Sequence, residues 1–320
     1  MVKKNLSGKI VKILIFIFSL TVLFFLLRHI GFEKVGESFV KVGIPGAVIL
    51  IMLGLIENGS DAWALSFAIP GKISFINVFS SSCTGSLVNL IIPWEAGEVV
   101  KVGLLKRSTG ATAAITGIIL WNYILKLSKP CAVITILIIS FLAGYDYRIE
   151  HFFLVSAAAV LGFIPYFGMM LLIRSNISVK LVKLLKMVGK KNVEDLVKKA
   201  EDMDNSLKKF RKEKLKDYNA LFFIQFSARF VSWATFLACA YFAGFEYSFS
   251  TLSLAYCAVS LGAYVISFIP AKIGVGEGAG FLIFSFLGLD GGAGLLITFI
   301  LRIKAIIALS IASSLNAFSK

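Results

Sequence analysis

The sequence has few charged residues and very few of the side chains that usually carry enzyme chemistry. Only 16% of its 320 residues are charged, and it contains two histidines and four cysteines. The histidines, His29 and His151, lie at the edges of apolar segments, and no Ser/His/Asp, Cys/His or metal-ligand set can be assembled from them. The cysteines are scattered singly without C-x-x-C spacing, so we interpret them as small buried hydrophobic residues. The sequence therefore offers little support for an enzyme and predicts no cofactor.

Acidic residues are also scarce. The chain has 18 of them and 33 lysines and arginines, which gives a formal net charge of +15. A basic balance of this size can indicate nucleic-acid binding. Here most of the excess flanks or joins apolar segments, as the positive-inside rule expects of cytoplasmic loops. We therefore expect membrane lipids as partners, and no nucleic acid.

Hydrophobic residues make up 58% of the chain, and the mean hydropathy is +0.87. Several apolar runs approach the roughly 20 residues that a helix needs to cross a bilayer core of about 30 Å. They are too long and too little alternated for barrel strands, and the backbone of a spanning helix satisfies its own hydrogen bonds. The fold class is therefore all-α, a polytopic integral membrane protein with about seven to eight membrane helices in one transmembrane domain, residues 1–320.

Two segments orient the chain in the membrane. The apolar residues 13–27 follow four lysines, and because no small-residue cleavage site comes next we interpret them as a first span with a cytoplasmic N-terminus. An outer loop is then expected at 31–43. The hydrophilic residues 174–218, with 14 basic against 7 acidic side chains, form a basic cytoplasmic loop between the two halves. We expect the plasma membrane of a bacterium or archaeon.

Polar residues interrupt several predicted spans. Glu57 and Asp61 share one helix face and point either into the protein or to a membrane interface. Residues 111–144 form either one tilted span or two helices split near Pro130. Other polar side chains lie inside the later spans: Gln225, Arg229, Arg302 and Lys304.

A first broken element is predicted around Pro93. The preceding residues 75–92 are rich in small and hydroxyl side chains, which favour packing against other helices. The apolar run stops at the proline, and two carboxylates and a lysine follow: Glu95, Glu98 and Lys101. Irregular backbone at membrane depth is tolerated only where it is buried or lines a cavity. The pattern predicts a re-entrant or broken helix, the alternative being a full span that ends in a charged loop.

A second broken element follows near the other end of the chain. An apolar run again ends at a proline and leads to glycines and a glutamate, namely Pro270, Lys272, Gly274, Gly276, Glu277 and Gly278. The glycines do not match G-x-G-x-x-G and no strand precedes them, so they are no nucleotide loop. The apolar residues 279–289 are too few to span and are interpreted as half of a broken helix.

Two interrupted segments in corresponding positions of two halves are the best sequence indication of a transporter binding site. The N-terminal end of a broken helix carries partial positive charge, which suits a phosphate. The predicted substrate-binding residues are Asn89, Glu95, Glu98, Lys101, Lys272, Glu277 and Arg302. The predicted structural breaks are Pro93, Gly97, Pro270, Gly274, Gly276 and Gly278. We expect both elements to approach each other, with Arg302 nearby; alternatively, the carboxylates only cap helices and pair with cations.

The two motifs resemble a known family. Asn89-x-x-x-Pro93-x-x-x-Gly97-Glu98-x-x-Lys101, followed by Pro270-x-x-Ile273-Gly274-Val275-x-Glu277-Gly278 and Arg302, is similar to the transmembrane region of lysylphosphatidylglycerol synthases, also called flippase-like. The resemblance runs from about Ile10 to Ser314. It implies that this membrane region moves a phospholipid between leaflets. In the family, aminoacyl transfer belongs to a separate soluble C-terminal domain. As this chain ends at Lys320, we expect a stand-alone member.

The sequence departs from the family pattern at several positions. Members commonly carry Glu-Arg-x-x-Asp where this chain has Asn122-Tyr123-x-x-Lys126, and an arginine at the position of Lys101. A glycine pair is replaced by Ala271-Lys272, and an arginine by Gly276. The substrate therefore does not follow from the resemblance.

Three functional hypotheses result. The leading one is translocation of an anionic or aminoacylated phospholipid, or of a polyprenyl-linked lipid. The second is a membrane scaffold that recruits or regulates an enzyme of lipid or cell-envelope biosynthesis. The third is a transferase acting on a lipid-linked sugar.

Deletion of residues 174–218 separates the first two hypotheses. A scaffold that recruits its partner through this basic loop loses the partner, whereas a translocating core keeps lipid binding. Co-purification of the partner and lipid mass spectrometry of the purified deletion variant are the two measurements. If the deletion variant loses its bound lipid but still co-purifies with the partner, the first hypothesis is contradicted.

Overall fold

A computed structural model of the chain describes residues 31–71, 73–91, 96–144, 146–174, 215–266 and 274–315, and the single positions 24, 28, 201 and 205. All regular secondary structure in these ranges is α-helical, which confirms the predicted fold class. In chain order the helices are α1 (Phe32–Ala68), α2 (Phe75–Ile91), α3 (Ala96–Thr109), α4 (Ala111–Leu142), α5 (Ile149–Leu161), α6 (Ile164–Arg174), α7 (Leu215–Phe242), α8 (Phe249–Ile266), α9 (Val275–Phe286) and α10 (Gly291–Ser314).

Five helical stretches of the described chain are long and apolar enough to cross a membrane: Phe32–Ala68, Ala111–Leu142, Ile149–Leu171, Asp217–Phe242 and Gly291–Ser314. The protein is thus a multi-pass membrane protein. The predicted first span at 13–27 and most of the basic loop at 174–218 lie outside the described residues. The total of seven to eight membrane helices therefore stays a prediction.

Residues 32–43 are helical, so the prediction of a loop at 31–43 was wrong, while its position outside the membrane stays a prediction. Helix α1 begins at Phe32 and changes direction at Gly43, where φ is 59° and ψ is −178°. A positive φ is tolerated by glycine because it has no Cβ. Pro45 follows directly inside the helix and removes one backbone donor. The apolar residues before the kink recur at helical spacing instead of forming one run, so apolar length alone does not reveal this part of the helix.

The remaining ambiguous segments are now defined. Helix α4 runs through Pro130 without interruption, which confirms the single-span alternative. Helix α2 has 17 residues, and helix α9 has 12 and begins at Val275, four residues before the apolar run that predicted it. At a rise of 1.5 Å per residue, α9 is about 18 Å long and too short to cross a core of about 30 Å. Whether 75–92 spans the membrane stays open, because α2 is followed by residues that the structure does not describe.

Close helix contacts organise the bundle around α4, α7 and α10. Helix α7 packs on α1 and α4, α10 packs on α1, α2 and α9, and α3 packs between α2 and α4. The α9–α10 pair approaches closely because Gly280 faces Gly294: a Cβ at Gly294 would overlap the carbonyl oxygen of Gly280. Large buried side chains such as Phe236 and Phe284 fill the main core.

One carboxylate joins two loops at the same end of the bundle. Asp146, between α4 and α5, accepts hydrogen bonds from the hydroxyls of Ser248, Ser250 and Thr251 at 2.8, 2.9 and 2.6 Å. Ser248 also accepts a hydrogen bond from the backbone N–H of Thr251 in the first turn of α8. The contact fixes the start of α8 relative to the end of α4.

We predict that this contact weakens in acid. Hydrogen bonds, first from Ser248 and then from Thr251, lower the pKa of Asp146 below its ordinary value of 3.8. A lowered folded-state pKa stabilises the protein above the unfolded-state pKa, and this stability is lost as the pH falls through the lowered value. D146A should therefore lower the melting temperature by about 2 °C at pH 7. The difference from wild type should narrow near pH 3.

Thermal unfolding in detergent at both pH values measures this effect. Glu150→Gln is the matched control. Glu150, in the first turn of α5, forms an exposed ion pair with Arg148, and exposed pairs contribute little to stability. A difference between D146A and wild type that does not change with pH would contradict the prediction.

Candidate functional site

The first group of predicted residues surrounds Glu98, the third residue of α3. Its Oε1 accepts hydrogen bonds from Asn89 Nδ2 at 3.1 Å and from Lys101 Nζ at 2.9 Å. Its Oε2 lies 3.4 Å from Nδ2 of Asn122 on α4. One carboxylate therefore joins α2, α3 and α4 directly after the break.

Gly97 explains how α2 and α3 come close enough for this arrangement. Its backbone N–H donates to Asn89 Oδ1 at 2.7 Å. A Cβ at Gly97 would overlap the carbonyl oxygen of Gly85 and lie 2.6 Å from the Asn89 amide. A glycine is needed here because two backbones and an amide share the space that a side chain would take.

Lys101 connects this group to the centre of the bundle. It is only 2% exposed, and its ammonium lies 4.8 Å from the ring centroid of Trp121, a cation–π distance. The Trp121 indole N–H donates to the backbone carbonyl of Asp61 at 3.1 Å, and its own carbonyl accepts from the Gln225 amide at 3.0 Å. Trp121 thus links Lys101 to α1 and α7.

The second group surrounds Glu277, the third residue of α9 and fully buried. Its Oε2 accepts from the backbone N–H of Gly274 at 2.8 Å, which caps the start of the helix. Its Oε1 pairs with Nε of Arg302 on α10. Gly274 has a φ of 81°, a conformation that favours glycine.

Gly276 makes room for the arginine. A Cβ at this position would lie 2.7 Å from Nη2 of Arg302. Larger side chains at 276 would therefore displace the guanidinium from Glu277.

The two groups repeat one local design. In each group a helix begins after a break, and its second and third residues are a glycine and a glutamate. The pair is Gly97–Glu98 in α3 and Gly276–Glu277 in α9. Each glutamate pairs with a cation, the buried Lys101 in the first group and the partly buried Arg302 in the second. The cation comes from the same helix in the first group and from α10 in the second.

The structure does not merge the two groups into one. The principal neighbours of α3 are α2 and α4, whereas those of α9 are α8 and α10, and the contact of α2 with α10 joins the two sides. The shared site therefore stays a prediction. Four of the predicted residues lie outside the described part of the chain: Pro93, Glu95, Pro270 and Lys272.

A third polar group lies on α1, α7 and α10, and it was absent from the predicted site. Glu57 pairs with Lys304 at 3.3 Å and accepts from the Ser232 hydroxyl at 2.6 Å. Asp61 pairs with Arg229. The sequence showed that Glu57 and Asp61 share a helix face, but their partners lie 247 and 168 positions away.

These pairs determine what the arrangement can do chemically. Ionisable residues inside membrane spans are costly and usually face the protein or a polar cavity. Here the carboxylates and cations balance in pairs, so each of these ions has a partner of opposite charge within the protein. In the described ranges, no three histidine, cysteine, aspartate or glutamate side chains come together to hold a metal ion.

Breaking the buried Glu277–Arg302 pair should destabilise the protein. Removing one partner of a buried pair typically costs about 3–5 kcal/mol because the other charge remains uncompensated. We therefore expect E277L and R302L each to lower the melting temperature strongly. The double variant E277L/R302L should recover part of the loss.

Thermal unfolding of all three variants in detergent gives the coupling energy. The exposed pair Arg148–Glu150 is the control, and its double-mutant cycle should give a coupling near zero. If the loss of stability in E277L/R302L equals the sum of the losses in E277L and R302L, the two residues are not coupled, and the prediction is contradicted.

Comparison with known proteins gives one match. The model of the family described as "Lysylphosphatidylglycerol synthase TM region" matches residues 9–313, nearly the whole chain. No curated protein and no solved structure matches the sequence.

Proposed function

We propose that this chain, which belongs to the lysylphosphatidylglycerol synthase TM-region family, moves a lipid with a charged headgroup between the two leaflets of a membrane. The lipid classes that we consider are an anionic or aminoacylated phospholipid and a polyprenyl-linked lipid. The protein acts as a transporter in this proposal, with no chemical change to the lipid.

One observation carries the proposal: both helix breaks place a Gly–Glu pair next to a cation. Glu98 meets Lys101, and Glu277 meets Arg302, and both glutamates lie in helices of 14 and 12 residues, too short to cross the membrane as ordinary spans. Broken helices with polar groups at membrane depth are the usual construction of substrate sites in secondary transporters. A protein that only anchored itself in the bilayer would need none of these charges.

The chemistry of the pairs suits a lipid headgroup. A phosphate can take the place of a carboxylate beside Lys101 or Arg302, and an ammonium group can take the place of a cation beside Glu98 or Glu277. A headgroup that carries both a phosphate and an ammonium can make both contacts at one pair, so that neither protein partner is left as an unpaired buried ion, which would cost several kcal/mol. The acyl chains remain in the surrounding hydrocarbon.

The position of Asn122 supports a role for the first group in headgroup binding. Its amide contacts Glu98 Oε2 at the longest distance of the three contacts, 3.4 Å, while Oε1 holds both Asn89 and Lys101. Oε2 is therefore the oxygen that an incoming donor can engage with the least loss of existing hydrogen bonds.

We place the protein in the plasma membrane of a bacterium or archaeon, with its N-terminus and the basic loop 174–218 in the cytoplasm. Its partners in this proposal are membrane lipids and, through the loop, an enzyme of lipid biosynthesis.

Glu98→Gln and Glu277→Gln test the proposal. Glutamine keeps the size of each side chain but removes the charge that pairs with Lys101 or Arg302. We expect each variant to move headgroup-intact, fluorescently labelled phosphatidylglycerol at least about tenfold more slowly than wild type, since 1.4 kcal/mol in the barrier is a factor of ten. Reduction of outer-leaflet label by dithionite in proteoliposomes measures the rate.

The exposed Glu150→Gln variant is the control and should keep the wild-type rate. Lysyl-phosphatidylglycerol, followed by chemical labelling of its amine, tests the aminoacylated class in the same vesicles. Wild-type rates in both glutamine variants would remove these carboxylates from the mechanism. A wild-type protein that moves neither lipid faster than empty vesicles would contradict translocation of phosphatidylglycerol lipids.

A further inference from the structure

Three spanning helices each carry a charged side chain near the middle of their length. Glu57 lies in the part of α1 that follows the kink, Arg229 lies in α7, and Lys304 lies in α10. At a rise of 1.5 Å per residue, each of the three is about 15 Å or more along its helix from either end. Half the thickness of a bilayer core is also about 15 Å, so these charges lie near the middle of the membrane.

Contacts between the helices gather these charges into one group. Glu57 pairs with Lys304 at 3.3 Å and accepts a hydrogen bond from the Ser232 hydroxyl at 2.6 Å. Asp61, one turn further along α1, pairs with Arg229. Arg229 also interacts with the charge of Glu57, so this carboxylate faces two cations. We name the two carboxylates and two cations the central group: Glu57, Asp61, Arg229 and Lys304. Their formal charges sum to zero.

The central group connects the two helix breaks. The backbone carbonyl of Asp61 accepts a hydrogen bond from the indole of Trp121, whose ring contacts the ammonium of Lys101 in the first group. On the other side, Lys304 lies two positions after Arg302 in α10, and Arg302 is the cation of the second group. A chain of polar contacts and neighbouring residues thus leads from one break to the other, and the central group is its middle part.

The central group borders space that a ligand can enter. The side chains of Glu57 and Asp61 are 23% and 21% exposed, whereas Glu277 of the second group is fully buried. The turn of α1 between these two carboxylates borders an open cavity of about 400 Å³, which is lined by Ile56, Gly59, Ser60, Trp63 and Phe75. The apolar members of this lining suit an acyl chain, and the charged turn of α1 lies next to them.

We propose that the central group binds a phospholipid headgroup that carries one phosphate and one ammonium group, as the lipid passes the middle of the membrane. The phosphate contacts Arg229 and Lys304, since arginine and lysine are common phosphate ligands. The ammonium contacts Glu57 and Asp61. The inference rests on the proposed function and names the headgroup charge that the middle of the path accepts.

Charge balance decides which headgroup fits. A headgroup with one phosphate and one ammonium offers a partner of opposite sign to both kinds of protein charge, and the occupied central group stays neutral. A headgroup with a phosphate alone adds one negative charge and offers no cation to the displaced carboxylates. An ion without a partner is costly at this depth. We therefore expect the central group to prefer the headgroup with both charges.

The first test compares two lipids on the full-length wild-type protein in a non-ionic detergent. Dioctanoyl phosphatidylethanolamine carries both charges, and dioctanoyl phosphatidylglycerol carries only the phosphate. A ligand of the folded state raises the melting temperature by mass action. We expect phosphatidylethanolamine to raise it by several degrees, with an apparent Kd at least about tenfold lower than that of phosphatidylglycerol. Equal stabilisation by the two lipids at equal concentration overturns the proposed selectivity.

The double variant E57L/K304L tests where the lipid binds. Replacing a buried ion pair by apolar residues is often neutral for stability, so the variant should melt near the wild-type temperature without lipid. Its response to phosphatidylethanolamine should fall to less than about a third of the wild-type response. E57D/K304R keeps both charges and should keep part of the response. R148L/E150L, which removes an exposed ion pair, is the matched control and should respond as the wild type does.

D61L/R229L makes the same test at the other pair of the central group. If phosphatidylethanolamine stabilises both double variants as strongly as the wild type, the ion pairs only join helices and the proposal is overturned. If either variant is too unstable to be titrated, the other variant and the comparison of the two lipids on the wild type still decide.

Two further ligands identify the source of the headgroup. Dioctanoylglycerol, which lacks a headgroup charge, should give no stabilisation that depends on the central group. If free phosphoethanolamine stabilises the wild type as strongly as the lipid and E57L/K304L loses this effect, the assignment to a lipid is overturned. If E57L/K304L loses the response to lipid while wild-type vesicles move no lipid, the binding site stands and the proposed translocation fails. If the vesicles move lipid and both double variants respond like the wild type, only this inference fails.

Discussion

Every charge in the interior of this protein is subject to one constraint: the bilayer core supplies no water, so a buried ion needs a partner of opposite charge. The pairs Glu98–Lys101, Asp61–Arg229, Glu57–Lys304 and Glu277–Arg302 satisfy it. Because the last three join different helices, the same contacts that compensate the charges also hold α1 against α7 and α10, and α9 against α10. Charge compensation and helix packing are therefore one requirement in this bundle.

The Gly–Glu start of α3 and α9 meets that requirement with two neighbouring residues. The glycine lets another group come close. Gly97 lies against the backbone of α2, and Gly276 lies against the guanidinium of Arg302. The glutamate lies at the third position, where a carboxylate interacts favourably with the positive end of the helix. The 12-residue α9 is thereby capped at its start, and both short helices are fixed to their neighbours without having to span the bilayer.

Sequence reasoning identified the fold class and most of the polar residues, because apolar length and charge inside apolar runs are local signals. It selected Glu277 and Arg302, yet it could not pair them specifically or find Trp121 and Asn122, whose roles depend on the packing of α4 against α1 and α3. The pair Glu57–Lys304 joins positions 247 apart, a distance over which one sequence carries no contact information. The helix at 32–42 was missed because its apolar residues are spaced rather than consecutive.

The same constraint assigns different roles to the charges of the site. A paired residue binds a headgroup only by giving up its partner, so its contribution is the difference between two ion pairs of similar strength. Lys101, whose ammonium already contacts Glu98 and the ring of Trp121, is therefore held mainly by the protein itself. In the proposed function, the ion pairs serve the stability of the bundle as well as the recognition of a headgroup, and the two roles compete for the same charges.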